Sequence, residues 1–190
     1  MALPDRVSGL IVEGLAIVSS DGMIADSAGV QPDALKLEAD QRFFSSVLDA
    51  ADVLVHGRYS GEGGPHAPRR KRIVLTRRIP GVAPDPDNSN AVLWNPAGAP
   101  FAAAWELIAV SGNRLAVIGG TDVFGLFLQR GYDVFHLSRT ERARYPGGRP
   151  IFPGVPDRSP EELLAGRLLK PDTTRVLDPS LDLTLTTWRP

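Results

Sequence analysis

Three groups of residues in this chain have the types and spacing to do chemistry. The first is Val117-Ile118-Gly119-Gly120-Thr121-Asp122-Val123-Phe124, where an apolar run ends in two glycines and apolar residues then recur with helical spacing at Val123, Phe124, Phe127 and Leu128. A strand, a tight turn and a helix start in that order make an anion site: glycines let a ligand approach the backbone, and the helix offers unpaired N–H groups and its positive dipole end. The competing reading is a glycine turn with no ligand. The second group is Asp40, three and four residues before Phe43 and Phe44 and so on the apolar side of a helix. A carboxyl placed there is partly desolvated, its pKa rises, and it suits hydrogen bonding or proton donation to a heterocycle. An early-helix acid interacting with the dipole is the alternative. The third is a pair of basic sites, Gly57-Arg58 and Thr76-Arg77-Arg78, each following a short apolar run. Ligands of open α/β sheets bind beyond the carboxyl ends of strands, and arginine's planar fork matches phosphate. Solubility charge is the competing reading, since Arg69, Arg70, Lys71 and Arg72 surround the start of the neighbouring run.

Other chemistries fit less well. The glycine pair matches neither Gly-x-Gly-x-x-Gly nor the phosphate loop ending in Gly-Lys-Ser/Thr, and Ser60 lacks the Gly-x-Ser-x-Gly spacing of a hydrolase elbow. His56, His66 and His136 form no recognised metal-ligand motif, and no metal is expected. Glu38 and Asp49 read as ordinary solvent-facing charges.

The elements that must position these groups follow from periodicity. Leu10 to Ser19 is a buried strand ending at the Ser20-Asp21-Gly22 turn, and a loop runs to about Pro32. From Asp33 an amphipathic helix carries Phe43, Phe44, Val47, Leu48 and Ala51 as its stripe. Strands are predicted at Val53 to His56, Ile73 to Thr76, Ala91 to Trp94, Leu115 to Ile118 and Asp133 to Leu137, with a helix over Ala102 to Val110. Ser159-Pro160-Glu161-Glu162 opens a short helix with a capping box. Arg175 to Leu177 and Leu183 to Trp188 have no helix between them and predict a terminal antiparallel pair on a mainly parallel sheet.

With 190 residues, 43% of them hydrophobic, the chain is expected to form one domain spanning 1–190. Its 21 basic and 22 acidic residues leave no basic field for nucleic acid. There is no cysteine, which excludes disulfides and thiol chemistry, and no membrane span or signal pattern, so a soluble cytoplasmic protein without a nucleic-acid or membrane partner is expected.

Taken in order, the segments resemble the dihydrofolate reductase-like superfamily, in particular the branch related to the reductase domain of the bifunctional riboflavin-biosynthesis deaminase-reductase. The resemblance runs from about Leu10 to Phe152 and rests on Ser19 to Ala25, Ala39-Asp40 through Phe44, Val53 to Arg58, Arg72 to Arg77, Val117 to Phe124, and Pro150-Ile151-Phe152-Pro153. It implies an α/β three-layer fold with a mainly parallel central sheet, helices on both faces, and NADPH as hydride donor. The implied substrate is a pterin-like or pyrimidine heterocycle bound beside the first helix. Gly119, Gly120 and Thr121, with Phe124 in the same motif, match the pyrophosphate turn. Gly57, Arg58 and Ser60 match the segment approaching the cofactor phosphates, Ser60 standing where many relatives have threonine. Thr76 and Arg77 match the strand end holding the adenosine-ribose phosphate, which favours NADPH over NADH, and Ile24 and Ala25 match the loop beside the nicotinamide. Asp40 aligns with the substrate-binding carboxylate once one extra residue is accommodated before Gly57-Arg58. Ser27-Ala28-Gly29-Val30-Gln31 replaces the tryptophan-bearing substrate loop, so a relative of dihydrofolate reductase is expected rather than that enzyme itself. The cysteine zinc motif of a deaminase is absent, so any reductase activity is expected to stand alone. The resemblance further implies a homodimer. The alternative function is a non-catalytic nucleotide-binding or regulatory module on the same fold, and the blandest is an interaction protein with an empty cleft.

Overall fold

The computed structural model describes residues 7–190. One nine-stranded sheet draws strands from both ends of the chain: β1 (Ile11–Val18), β3 (Val53–Gly57), β4 (Arg72–Leu75), β5 (Val82–Pro84), β6 (Ala91–Trp94), β7 (Arg114–Gly119), β8 (Val134–Thr140), β10 (Lys170–Asp178) and β11 (Leu183–Arg189), in the order β10-β11-β8-β1-β7-β3-β4-β6-β5. The six strands from β8 to β6 are parallel, while β10, β11 and β5 are antiparallel to their neighbours. A separate two-stranded ribbon joins β2 (Met23–Ala25) to β9 (Arg149–Pro150).

Alternation along the central strands explains the layers. Val12, Val55 and Val117 face one side, packing with Phe101, Ala104 and Ile108 of α2 (Phe101–Ile108) and Phe124 and Phe127 of α3 (Thr121–Arg130). Leu15, Leu54 and Ala116 face the other side, against Leu48 of α1 (Glu38–Ala50). Helices therefore cover both faces of a mainly parallel sheet with an antiparallel C-terminal pair, as expected. Burial on both faces is why the parallel strands read as continuous apolar runs. Gly14 of β1 has a packing reason, since a Cβ there would lie 2.4 Å from the Phe135 ring.

Several boundaries differ from expectation. The first helix begins at Glu38, because Asp33–Leu35 forms a separate 3-10 turn and Leu37 is extended at the N-cap. β10 is longer than predicted because most of its residues are exposed and polar, as an edge strand permits, leaving no buried alternation to read. The short α4 (Pro160–Ala165) has its capping box: Glu162 N–H donates to Ser159 Oγ at 3.1 Å and Ser159 N–H to Glu162 Oε2 at 2.7 Å.

Candidate functional site

The carboxyl-terminal parts of β1 and β7 and the loop after β3 converge on a cleft of about 560 Å³ between α1 and the start of α3. Ile24, Ala25, Asp40, Ser60, Gly119, Gly120 and Phe124 all line it. Gly57, Arg58, Thr76, Arg77 and Thr121 lie outside its lining.

The glycine pair sits where the register places it. β7 runs beside β3 with Val55 opposite Val117 and His56 opposite Gly119, which brings Gly57 next to the turn. Gly119 has φ +127°, a backbone region closed to most side chains, and the Gly119–Gly120 peptide is cis. A Cβ built on Gly120 would stand 3.0 Å from Ser60 Oγ, and one on Gly57 would stand 3.8 Å from Gly120 N. Gly120 is the N-cap of α3 and supplies no side-chain cap, so the helix's first N–H groups are left to other partners. The Thr121 hydroxyl donates to the Pro150 carbonyl, tying the start of α3 to β9. Because β9 pairs with β2, the same link brings Ile24 and Ala25 alongside the glycine turn. The turn before β2 is set by Ser19, whose hydroxyl donates to Asp21 Oδ1 at 2.6 Å and accepts from Met23 N–H at 3.0 Å.

The basic sites are arranged outside the cleft. Arg58 is exposed and stacks over the equally exposed Tyr59, 5.8 Å from its ring centroid. Arg77, at the end of β4, pairs with Asp122 in the first turn of α3 at 3.3 Å. Thr76 is buried, and its hydroxyl accepts from Arg78 N–H at 3.2 Å, shaping the turn that presents Arg77.

Asp40 lies in the first turn of α1, and it is also 7% exposed and aimed into the cleft. Both readings of its position hold together. Burial pushes its pKa from 3.8 up to about 6, against the opposing effect of a hydrogen bond with Ser138 of β8. Leu15, Ile17, Ile24 and Phe44 give the cleft around it an apolar wall.

Other cleft residues escaped the sequence reading, among them Tyr59, Glu62 and Arg70. The signal available was the glycine-rich run Gly61-Glu62-Gly63-Gly64 after Arg58. Arg70 and Arg72 are not solubility charges: their side chains are 14% and 9% exposed, and Glu62 bridges them at 3.2 and 2.6 Å. Asp49 is no idle surface acid either, since it accepts from Arg70 Nη2 at 2.6 Å and approaches His66 Nδ1 at 3.1 Å. Arg72 Nη1 donates to His56 Nε2 at 3.2 Å, so the proton of that ring is on Nδ1 and is donated to the Gly57 carbonyl at 2.7 Å. Burial, helped by the Arg72 charge, lowers the His56 pKa and keeps the ring neutral. Sequence spacing gives no access to this network, because its members meet only through the loop between β3 and β4.

A second polar cluster, in which Glu13 and His136 are buried and Arg114 is exposed, lies away from the cleft lining. Glu13 Oε1 is 2.7 Å from His136 Nε2, its Oε2 accepts from Arg114 Nη2 at 3.1 Å, and the hydrogen bond with His136 is the main cause of its lowered pKa. Among the described residues no group of three or more histidines and acids is placed to hold a metal.

Comparison with solved structures gives the frame for this geometry. A pyrimidine reductase-like protein from Corynebacterium diphtheriae superposes with a TM-score of 0.66 at 16% identity, covering 95% of this chain and 91% of the other. Dihydrofolate reductase from Enterococcus faecalis, solved with NADP(H), gives 0.64 at 19% identity over 94% and 95%. The chain has the dihydrofolate reductase-like fold. A diaminohydroxyphosphoribosylaminopyrimidine deaminase/5-amino-6-(5-phosphoribosylamino)uracil reductase from Thermotoga maritima also superposes at 0.64 with 16% identity, and 95% of this chain spans 56% of that longer one. No protein-family profile matches the chain, and no curated sequence does. No helix among the described residues is long and apolar enough to cross a membrane.

Proposed function

We propose that the protein is an NADPH-dependent reductase that transfers a hydride to a pterin-like or pyrimidine heterocycle. The observation that carries this reading is the juxtaposition, in one cleft, of a side-chain-free turn at a helix N-terminus and a buried carboxyl on the facing helix. The turn fits a cofactor phosphate on structural grounds: Ser60 Oγ lies where a Cβ on Gly120 would crowd it, Gly119 adopts a positive φ, and no side chain caps α3.

Gly119, Gly120 and Thr121 would hold the pyrophosphate, with Gly57, Arg58 and Ser60 beside it. Arg77, presented by the Thr76 turn, would take the ribose phosphate that distinguishes NADPH from NADH. Ile24 and Ala25 would flank the nicotinamide, with the buried Phe124 beneath the turn. When bound, NADPH supplies the hydride; the protein supplies position and electrostatics. Asp40 accepts a hydrogen bond from a ring N–H of the heterocycle when ionised, or holds a proton on its carboxyl when neutral. A pKa of about 6 lets both forms exist near neutrality. Leu15, Ile17 and Phe44 exclude water from the reacting faces.

We further propose that the protein acts in the cytoplasm as a homodimer. β10 offers an outer sheet edge with Val176 60% exposed, a surface that a second copy would cover. A monomeric mass by light scattering at tens of micromolar would remove the dimer.

Titration with NADPH, followed by the rise in its fluorescence or by calorimetry, tests the reading. Saturable binding at micromolar concentration is expected, with weaker binding of NADH; the absence of saturation rejects the reading. Oxidation of NADPH with one member of a pterin and pyrimidine panel is then expected. Binding without turnover across that panel would favour the non-catalytic module.

A further inference from the structure

The charges of the cleft carry information about what its substrate lacks. Among the described residues the charged side chains lining it are Asp40, Glu62 and Arg70. Arg70 is the sole cation of the three, and it is engaged on both sides. Its Nη2 is 2.6 Å from Asp49 Oδ1 and its Nη1 is 3.2 Å from Glu62 Oε2, while its Nε is buried and makes no hydrogen bond. The second oxygen of Glu62 is 2.6 Å from Arg72, whose remaining contacts are with the Ala67 carbonyl and His56. Two carboxylates therefore balance two guanidiniums, and the wall offers no uncompensated positive charge. Arg149 lies beyond Gly29, where a Cβ would be 3.6 Å from its Nε; it is exposed and outside the cleft lining. Neutral hydrogen-bonding groups complete the substrate side, with Gln41 and Ser45 one helical turn apart on α1 and Gln31 on the facing loop.

Building on the reductase reading, we propose that the cleft selects a phosphate-free heterocycle, one whose appended chain carries hydroxyl or amino groups and no dianion. A phosphate on the substrate side of the cleft, away from the Gly119-Gly120 turn, meets the Asp40 carboxyl and must draw Arg70 from two carboxylates before it gains a partner. Like-charge juxtaposition of this kind acts as a rejection device. Two exposed cations, Arg58 and Arg77, stand outside the cleft lining on the side of the turn assigned to the cofactor, so cofactor phosphates and substrate meet different charges.

The test is a matched pair titrated calorimetrically into the full chain: 5-amino-6-(5-phosphoribosylamino)uracil and the same compound without its phosphate. The dephosphorylated compound should bind about tenfold more tightly or better, a difference of roughly 1.4 kcal/mol. Equal affinity, or tighter binding of the phosphorylated compound, overturns the proposal. Binding of neither also overturns it, while the NADPH titration stands or falls separately. Asp49→Asn, at a half-exposed position outside the cleft lining, loosens Arg70 and should raise affinity for the phosphorylated compound severalfold while leaving its partner unchanged. An unchanged ratio in a folded Asp49→Asn protein would show that Arg70 is not held neutral by these carboxylates and would overturn the proposal.

Discussion

Replacing Asp40 by asparagine should make the protein more stable, and increasingly so as pH rises. Burial carries the Asp40 pKa from 3.8 to about 6, which corresponds to about 3 kcal/mol of preference for the protonated form in the folded state. Since the folded value lies above the unfolded one, this contribution is fully present below pH 3.8 and is lost as pH rises through about 6. Asparagine has nearly the same shape, can still accept from Ser138, and never ionises. Its advantage over the wild type should therefore grow by about 2 kcal/mol between about pH 4.5 and about pH 7.5. Any loss of hydrogen-bond quality shifts both values equally, so the readout is the change with pH. Urea unfolding of both proteins at the two pH values measures it; for a chain of this length the same change is worth roughly 4–8 °C in Tm. Parallel pH dependences for the two proteins would refute the buried-carboxyl argument. On the catalytic side, wild-type kcat/KM should fall about tenfold per pH unit above about 6 if protonated Asp40 is the donor. Asp40→Asn should be slower by about 100-fold or more with NADPH affinity retained, and equal activity would remove Asp40 from the mechanism.

Three further outcomes follow from the geometry. Gly119→Ala forces a side chain into φ +127° and toward the Phe124 ring 3.4 Å away; at about 1–3 kcal/mol of strain it should weaken NADPH binding roughly tenfold or more, and unchanged affinity would remove the turn from the cofactor site. Arg77→Ala should raise the NADPH Kd severalfold and leave NADH binding unaltered, an effect that fades with added salt because Arg77 is exposed; equal effects on both cofactors would dissociate Arg77 from the ribose phosphate. Gly14→Ala places a methyl 2.4 Å from Phe135 and 2.8 Å from Tyr132, so it should cost about 1–3 kcal/mol in urea unfolding without altering NADPH affinity in the folded protein.

The sequence by itself determined the parallel strands, because their burial on both faces leaves continuous apolar runs such as Val53 to Val55 and Leu115 to Val117. It also determined the strand, glycine turn and helix around Gly119-Gly120, since glycine placement and helical periodicity are local properties. Asp40 was legible as a misplaced carboxylate on an apolar stripe. The upward direction of its pKa followed from that placement, but the size did not, because burial depends on cleft walls and the opposing hydrogen bond on Ser138, contributed by segments distant in sequence. β10 was legible only in part, since an exposed edge needs no apolar alternation. The pairing of Glu62 with Arg70 and Arg72, and of Asp49 with Arg70, was decided by tertiary structure alone. A charge in a sequence has a sign and a reach, and which opposite charge neutralises it depends on how loops cross in space. For that reason the glycine turn could be read from the chain, while the balance of charge in the cleft facing it required the fold.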